Sequence, residues 1–431
     1  MILEISALDA AGHGIARSPD GKVAFVEGAL AGERVEAEVR HARRKFDVAR
    51  LVRVIDASAA RREPQCPHFG VCGGCATQHV DLRTQVAAKQ RWLEDNLERI
   101  GKVRAETMLA PIYGEEWGYR RRARLSARYV ENRGGAMVGF RERRSTHVAE
   151  LRSCDVLTPE VSALIVPLRG LVNALSIRER IPQIEVAVGD AGTVLVFRHL
   201  LPFSRDDQLL LENFHKQHEV HIWLQPKGPD TAHPVFPEQS SLYYALPEFG
   251  VRIGFGPTDF TQVNAGVNRM LVSRALRLLD PQPGERIADL FCGLGNFSLP
   301  LAARGAQVVG FEGATSLVER ARANAKANAL VAQFEVLDLF QGNLKPYGRF
   351  EKILLDPPRE GAVELVKSLA EDWPRRILYV SCDPATLARD AGILVNARGF
   401  RLSAAGVVNM FPHTAHLESI ALFDRGRGGS Y

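Results

Sequence analysis

The chain has no apolar run long enough to cross a bilayer, and its 431 residues include only six cysteines. The first absence excludes a helical integral membrane protein. The second, with the cysteines at unequal intervals (66, 72, 75, 154, 292 and 382), excludes the dense disulfide framework of a small secreted scaffold. Positive charge is missing from the opening Met1-Ile2-Leu3-Glu4-Ile5, where a secretory leader would carry it, so a cytoplasmic location is expected. Strong net charge is missing too: the formal balance is +5. The excess is local, with nine arginines between Trp117 and Arg144 against Glu131 and Glu142, a bias that suits a phosphate backbone better than a small neutral metabolite.

What is present is a soluble globular composition, 46% hydrophobic and 24% charged, on a chain too long for one core. Residues 1–55 alternate apolar and polar between glycines at 12, 14, 21, 28 and 32, which predicts a small five-stranded barrel with His41-Ala42-Arg43-Arg44-Lys45 as a basic loop. Residues 56–254 form a second unit. It opens on Cys66-Pro67-His68-Phe69-Gly70-Val71-Cys72-Gly73-Gly74-Cys75 and continues into an amphipathic helix over 82–100. A strand over 119–129 then places Arg120, Arg122, Arg124 and Arg128 on one face, where an anion such as nucleic acid would relieve their repulsion. Residues 155–227 read as mixed α/β. Residues 255–431 repeat strand, loop and helix, with strands predicted at 286–291, 307–311, 333–337, 352–355, 376–380, 401–407 and 418–423. That rhythm predicts a doubly wound, mostly parallel sheet.

Chemistry-bearing residues fall at the ends of those strands. Asp289-Leu290-Phe291-Cys292-Gly293-Leu294-Gly295-Asn296-Phe297-Ser298 is a strand followed by a glycine loop and a helix, but a serine stands where a dinucleotide fingerprint needs its third glycine. Glu312 ends the next strand, where a carboxylate grips a ribose diol, and Asp338 follows the third, where one receives an adenine amino group. With Asp356-Pro357-Pro358-Arg359 the set describes an S-adenosylmethionine site, while Cys292 reads as structural. Cys382, in Val380-Ser381-Cys382-Asp383-Pro384, ends a strand and precedes a helix, the position of a nucleophile. A methyl donor beside a thiol has a logic if the acceptor is carbon 5 of uracil: thiolate adds at carbon 6, carbon 5 attacks the methyl, and a base removes its hydrogen. Glu418, in His416-Leu417-Glu418-Ser419, is the nearest candidate for that base. His413, His416 and Glu418 are alternatively a metal set. Cys66, Cys72, Cys75 and the distant Cys154 have the three-plus-one spacing that favours a four-iron cluster over zinc.

Phe260-Thr261-Gln262-Val263-Asn264, Asp289 to Phe297, Asp356 to Arg359, Val380 to Pro384 and His416 to Ser419 together resemble the RNA 5-methyluridine methyltransferases, within them the branch acting on 23S ribosomal RNA. The resemblance covers essentially the whole chain. It implies a Rossmann-like α/β methyltransferase domain, an amino-terminal TRAM barrel of the oligonucleotide-binding type, and a central domain carrying a 4Fe-4S cluster on Cys66, Cys72, Cys75 and Cys154. It also implies Cys382 as nucleophile, Glu418 as base, and Gln262, Phe291, Asn296, Glu312, Asp338 and Asp356 around S-adenosylmethionine, in a monomer whose partner is 23S ribosomal RNA. Two residues depart from the pattern: Asp383 stands where the family has asparagine, and Thr261 where it has a bulky apolar residue. A carboxylate that is ionised and close to the thiol would raise its pKa, so turnover is expected to survive while the rate and pH optimum stay open. Three other readings stay open. They are the same reaction on transfer RNA, an amino-group methyltransferase with Cys382 idle, and a non-catalytic iron-sulfur RNA-binding protein.

Overall fold

The computed structural model describes residues 1–425 apart from positions 10, 342 and 371, so 426–431 of the third expected unit lie outside the described residues. The amino-terminal strands are β1 (Ile2–Glu4), β2 (Ala7–Leu8), β3 (Gly14–Arg17), β4 (Val23–Glu27), β5 (Arg34–Ala42) and β6 (Phe46–Asp56), in the order β1-β5-β6-β4-β3-β2. There are six rather than five, because β2 is a two-residue strand too short to read from alternation. The link from β1 to β2 joins the two edges of the sheet, with Ser6 donating to Ile15 O at 2.8 Å, so the ring closes around Leu3, Ala24, Val26, Val35 and Ala49. His41 and Ala42 belong to β5, which leaves Arg43-Arg44-Lys45 as the exposed turn.

Helix α1 (Leu82–Asn96) is capped by Asp81, which accepts from Thr84 N at 3.0 Å, and ends in one wide turn over Leu97–Gly101. Strand β7 (Thr107–Met108) follows, then β8 (Arg122–Val130) and β9 (Gly135–Gly139). The stretch 155–227 resolves into α2 (Pro159–Ala163), α3 (Ile165–Ala174), β10 (Gln183–Gly189), β11 (Gly192–Arg198), α4 (Arg205–His218) and β12 (His221–Gln225). With β13 (His233–Phe236) they form a sheet ordered β13-β12-β11-β10-β8-β9, antiparallel except between β11 and β12. The alternation expected of β8 is observed: Ala123, Leu125 and Ala127 are buried, whereas Arg124 and Arg128 face out. A hairpin of β14 (Leu242–Leu246) and β15 (Val251–Phe255) then leads to α5 (Ala265–Leu279).

The carboxyl-terminal sheet holds β16 (Arg286–Leu290), β17 (Gln307–Glu312), β18 (Ala332–Val336), β19 (Lys352–Leu355), β20 (Arg376–Ser381), β21 (Phe400–Val408) and β22 (Glu418–Arg425). Between them lie α6 (Ser298–Ala303), α7 (Thr315–Ala327), α8 (Val363–Ser368) and α9 (Pro384–Arg398). The order is β18-β17-β16-β19-β20-β22-β21-β7. Every strand predicted from sequence in this region is present. The chain winds outward from β16 in both directions, and the crevice at such a switch point, beyond the carboxyl ends of β16 and β19, is where α/β sheets bind ligands.

The placement of α1 and β7 differs from the expected division at residue 255. β7 pairs with β21, and Leu93, Leu97 and Val103 pack in the carboxyl-terminal core. The approach is close because Gly101 and Gly392 face each other: a Cβ at Gly101 would lie 2.4 Å from Ala388 O, and one at Gly392 2.8 Å from Gly101 O. The β14–β15 hairpin packs on the other face of the same sheet. Sequence order hid this, since strand pairing brings residues three hundred positions apart into one layer.

Candidate active site

One cavity of about 1110 Å³ opens beyond the carboxyl ends of these strands. Gln262, Phe291, Asn296, Glu312, Asp338, Asp356, Cys382 and Glu418 all line it, and so do Cys66, Cys72, Cys75 and Cys154. On its β16 side, Phe291 takes a left-handed backbone (φ +62°) and Gly293 another (φ +53°), and a Cβ at Gly293 would meet no protein atom within 4 Å. The loop is therefore open to a ligand approaching its backbone. Glu312 accepts from Gly293 N at 3.2 Å and from Ala314 N at 3.1 Å, which aims its carboxylate across the loop. Phe291 and Phe340 meet edge to face at 5.7 Å, and Asp338 accepts from Phe340 N at 3.0 Å. Asn296 exchanges two hydrogen bonds with Asn268 and accepts a third from Tyr244 Oη, all between 3.0 and 3.1 Å, so its amide fixes the loop against α5. Cys292 is buried beneath, its sulfur 2.9 Å from where a Cβ at Gly310 would sit, as its structural reading implied.

Register brings Cys382 and Glu418 together. Ser381 pairs with Ser419 across β20 and β22, so the next residues along, Cys382 and Glu418, oppose each other at the mouth of the cleft. Burial, then the neighbouring Glu418 and Asp356, push the Cys382 thiol up to about 11, while Arg359 opposes them. Glu418 is 4% exposed, and burial with Asp356 nearby lifts its carboxyl well above the ordinary range. Burial likewise lifts Asp356 to about 7. Asp289, fully buried under the loop and accepting from the Ser298 hydroxyl, is also lifted to about 7 by burial, with Asp356 and Glu312 adding repulsion. Asp356 and Glu418 in the cavity wall, with Asp289 buried behind it, are thus held towards their neutral forms, and a cationic ligand would relieve that cost.

Asp383 does not play the part expected of it. Its carboxylate caps α9, accepting from Ala385 N at 2.9 Å and Thr386 N at 3.1 Å, and the leading charges acting on the thiol are instead Glu418, Asp356 and Arg359. An asparagine would cap the helix in the same way. Thr261 is buried beside Gln262, whereas the neighbouring Phe260 is 75% exposed on the cavity rim.

The arginine face also needs correction. Arg122 is largely buried and donates to the carbonyls of Asp259 and Pro257, Arg120 donates to Arg122 O at 2.9 Å, and Arg124 pairs with Glu185 at 3.2 Å. The Arg122 bonds clamp β8 to the segment leading to Gln262, while Arg120 bonds within its own strand segment and Arg124 reaches β10, so three of the four guanidinium groups already have protein partners. His413 and His416 are not a metal set with Glu418: His413 lies 3.2 Å from Gln85 and stacks on Trp117, and His416 lies 3.2 Å from Arg359.

The four cysteines of the expected cluster converge without reaching coordination. All are free thiols, and burial raises each, Cys75 to about 11 and Cys154 to about 12, with the other cysteines of the set adding to the shift in Cys72, Cys75 and Cys154. Among the described residues no three His, Cys, Asp or Glu side chains stand close enough to hold a metal ion. The donor set itself suits a soft metal: four sulfurs near one another in a half-buried wall, unable to ionise cheaply without a cation.

Sequence reasoning missed Tyr244, Asn268, Gln85 and Lys89. Gln85 and Lys89 left a signal, two polar residues at helical spacing within the stripe that carries Val86 and Leu93.

Residues 254–339 and 329–426 match the family described as tRNA (Uracil-5-)-methyltransferase, and residues 2–52 match the TRAM domain. The chain is 59% identical to the 23S rRNA (uracil(1939)-C(5))-methyltransferase RlmD of Thiobacillus denitrificans over 98% of this chain and 99% of that one. It is 55% identical to the RlmD of Nitrosospira multiformis over 98% of each. Among solved structures, the tRNA (uracil-54, C5)-methyltransferase of Pyrococcus abyssi in complex with S-adenosyl-L-homocysteine shares the fold, with a TM-score of 0.75, 24% identity, and coverage of 98% of this chain and 100% of that one. The geometry, the matched families and these relatives agree: the chain belongs to the RNA 5-methyluridine methyltransferase family, among the 23S rRNA (uracil(1939)-C(5))-methyltransferases.

Proposed function

We propose that this protein methylates carbon 5 of a uridine in 23S ribosomal RNA through a covalent adduct on Cys382. The observation that carries the reading is the opposition of Cys382 and Glu418 across β20 and β22, in the same cavity as the glycine loop and Glu312. S-adenosylmethionine, when bound, supplies the methyl group as a sulfonium, and the acidic lining of Glu312, Asp338, Asp356 and Glu418 suits that positive charge. Glu312 would hold the ribose hydroxyls and Asp338 the adenine amino group, with Phe291, Gln262 and the Asn296 loop as the rest of the wall that would bind it. Cys382 loses its proton to solvent water, Arg359 favouring the thiolate, and as sulfur bonds to carbon 6 of the uracil the electron pair of the 5,6 double bond shifts towards carbon 5 and its neighbouring carbonyl. Carbon 5, now enolate-like, takes the methyl group. Glu418 in its carboxylate form removes the hydrogen from carbon 5, and the electron pair of that bond restores the ring double bond as the sulfur leaves.

Cys66, Cys72, Cys75 and Cys154 would hold a 4Fe-4S cluster, joining the segment before α1 to the turn before α2. Its contribution would be structural, since Cys382 already supplies the nucleophile. The barrel and its Arg43-Arg44-Lys45 turn would meet the RNA backbone.

Incubation with methyl-labelled S-adenosylmethionine and unmodified 23S ribosomal RNA, followed by nucleoside analysis, tests this. Label in 5-methyluridine is expected. Label in an adenosine or guanosine product, or only when transfer RNA is supplied, would overturn it.

A further inference from the structure

The loop joining β21 to β22 delivers Glu418, and its backbone is held from outside the hairpin. Lys89 Nζ donates to Asn409 Oδ1 at 2.7 Å and to Phe411 O at 2.9 Å. Tyr119 Oη donates to Pro412 O at 3.1 Å, and Ala76 N and Thr77 N both donate to His413 O, at 2.8 and 3.1 Å. Three consecutive carbonyls are thus caught by residues that lie between Ala76 and Tyr119. Gln85 completes the clasp, accepting from His413 N at 2.9 Å while its Nε2 donates to Val80 O at 2.8 Å. His413 itself sits in a left-handed conformation (φ +64°), which a residue with a Cβ adopts only when its surroundings insist.

Lys89 is the unexpected member. It is 7% exposed, no carboxylate among the described residues pairs with it, and burial draws its ammonium down to about 7. Burying a cation without a counter-ion is costly, and a methionine would fill the same stripe of α1 without that cost. What lysine adds is two donors to oxygens on either side of Met410. Val408 pairs with Glu418 to close the hairpin, so Asn409 is adjacent to the partner of the base.

We infer that Lys89 and Gln85 are positioning residues for Glu418, fixing the Asn409–His413 backbone so that the carboxylate meets the hydrogen on carbon 5. The inference rests on the covalent reading above. It predicts a defect confined to the last step: misplacing a base by about 1 Å costs roughly 100-fold, while addition of sulfur and methyl transfer do not use the Glu418 carboxylate.

The test compares Lys89→Met and Gln85→Met with Glu418→Gln and the parent. Each is given S-adenosylmethionine and an unmodified 23S ribosomal RNA fragment, with protein–RNA adduct, released 5-methyluridine and S-adenosylhomocysteine binding measured. Both methionine variants should bind S-adenosylhomocysteine as the parent does. They should release 5-methyluridine about 100-fold more slowly and accumulate adduct towards the level of Glu418→Gln. Parallel loss of adduct and product, unchanged kinetics, or loss of S-adenosylhomocysteine binding in both variants would overturn the inference. Absence of adduct in Glu418→Gln would instead overturn the covalent reading, and the inference with it.

Discussion

The cofactor rim and the base loop face each other across one cavity but are built in opposite ways. On the rim the two carboxylates are held from nearby in the chain: Glu312 by Gly293 and Ala314, Asp338 by Phe340, each at or just beyond a strand end. The base loop depends on partners far away in sequence, with Lys89 and Asn409 separated by 320 positions and Gln85 and His413 by 328. A site made of strand ends and tight turns is robust because the sheet positions it. A loop clasped by a remote helix is only as well placed as the packing of that helix.

Substitutions on the two sides should therefore fail differently. The largest effect is expected at the proposed nucleophile: Cys382→Ala should lower methyl transfer by more than about 10⁴-fold while leaving S-adenosylhomocysteine binding unchanged, as calorimetry with steady-state kinetics would show. An amino-group methyltransferase would keep its activity. On the rim, Glu312→Gln should weaken cofactor binding by about 10- to 100-fold, the cost of one or two charge-assisted hydrogen bonds, and leave the rate at saturation nearly unchanged. A fall in the saturated rate with no change in affinity would move Glu312 from the binding wall to the chemistry.

A smaller effect concerns the acids under the rim. Burial raises Asp289 to about 7, above its unfolded value, so its contribution to stability is fully present below about pH 4 and is lost as pH rises through about 7. Relative to the parent, the stability of ligand-free Asp289→Asn should rise between pH 5 and pH 8 by up to roughly 2.5 kcal/mol. Denaturant titrations at the two pH values check this, and a parent-minus-variant difference independent of pH would contradict it. The smallest effect is expected at Asp383→Asn. Both residues cap helices well, so stability should change by only a few tenths of a kcal/mol, and the pH dependence of Cys382 alkylation should stay where it is. A shifted alkylation profile would restore Asp383 as a neighbour of the thiol.

What the residues revealed in advance follows the same division. Strands of the third unit, the glycine loop, Glu312, Asp356 and Cys382 were legible because alternation, turns and strand ends are local patterns. The pairing of Ser381 with Ser419 was not, yet it brings Cys382 to Glu418. Nor was the use of Arg122 as a clamp on the Asp259 loop, since spacing gives the face of a strand but not what covers it. Lys89 was hidden for the reverse reason. A lysine on an amphipathic helix looks solvated until the helix is docked, and the docking depends on Gly101 meeting Gly392.

The account turns on a bond between Cys382 and uracil, and an RNA carrying 5-fluorouridine at the target position tests it most directly. Fluorine on carbon 5 cannot leave as a proton, so with S-adenosylmethionine present the enzyme should stall as a methylated covalent complex whose RNA-bearing peptide contains Cys382. No complex, or one attached at any other residue, would contradict the account.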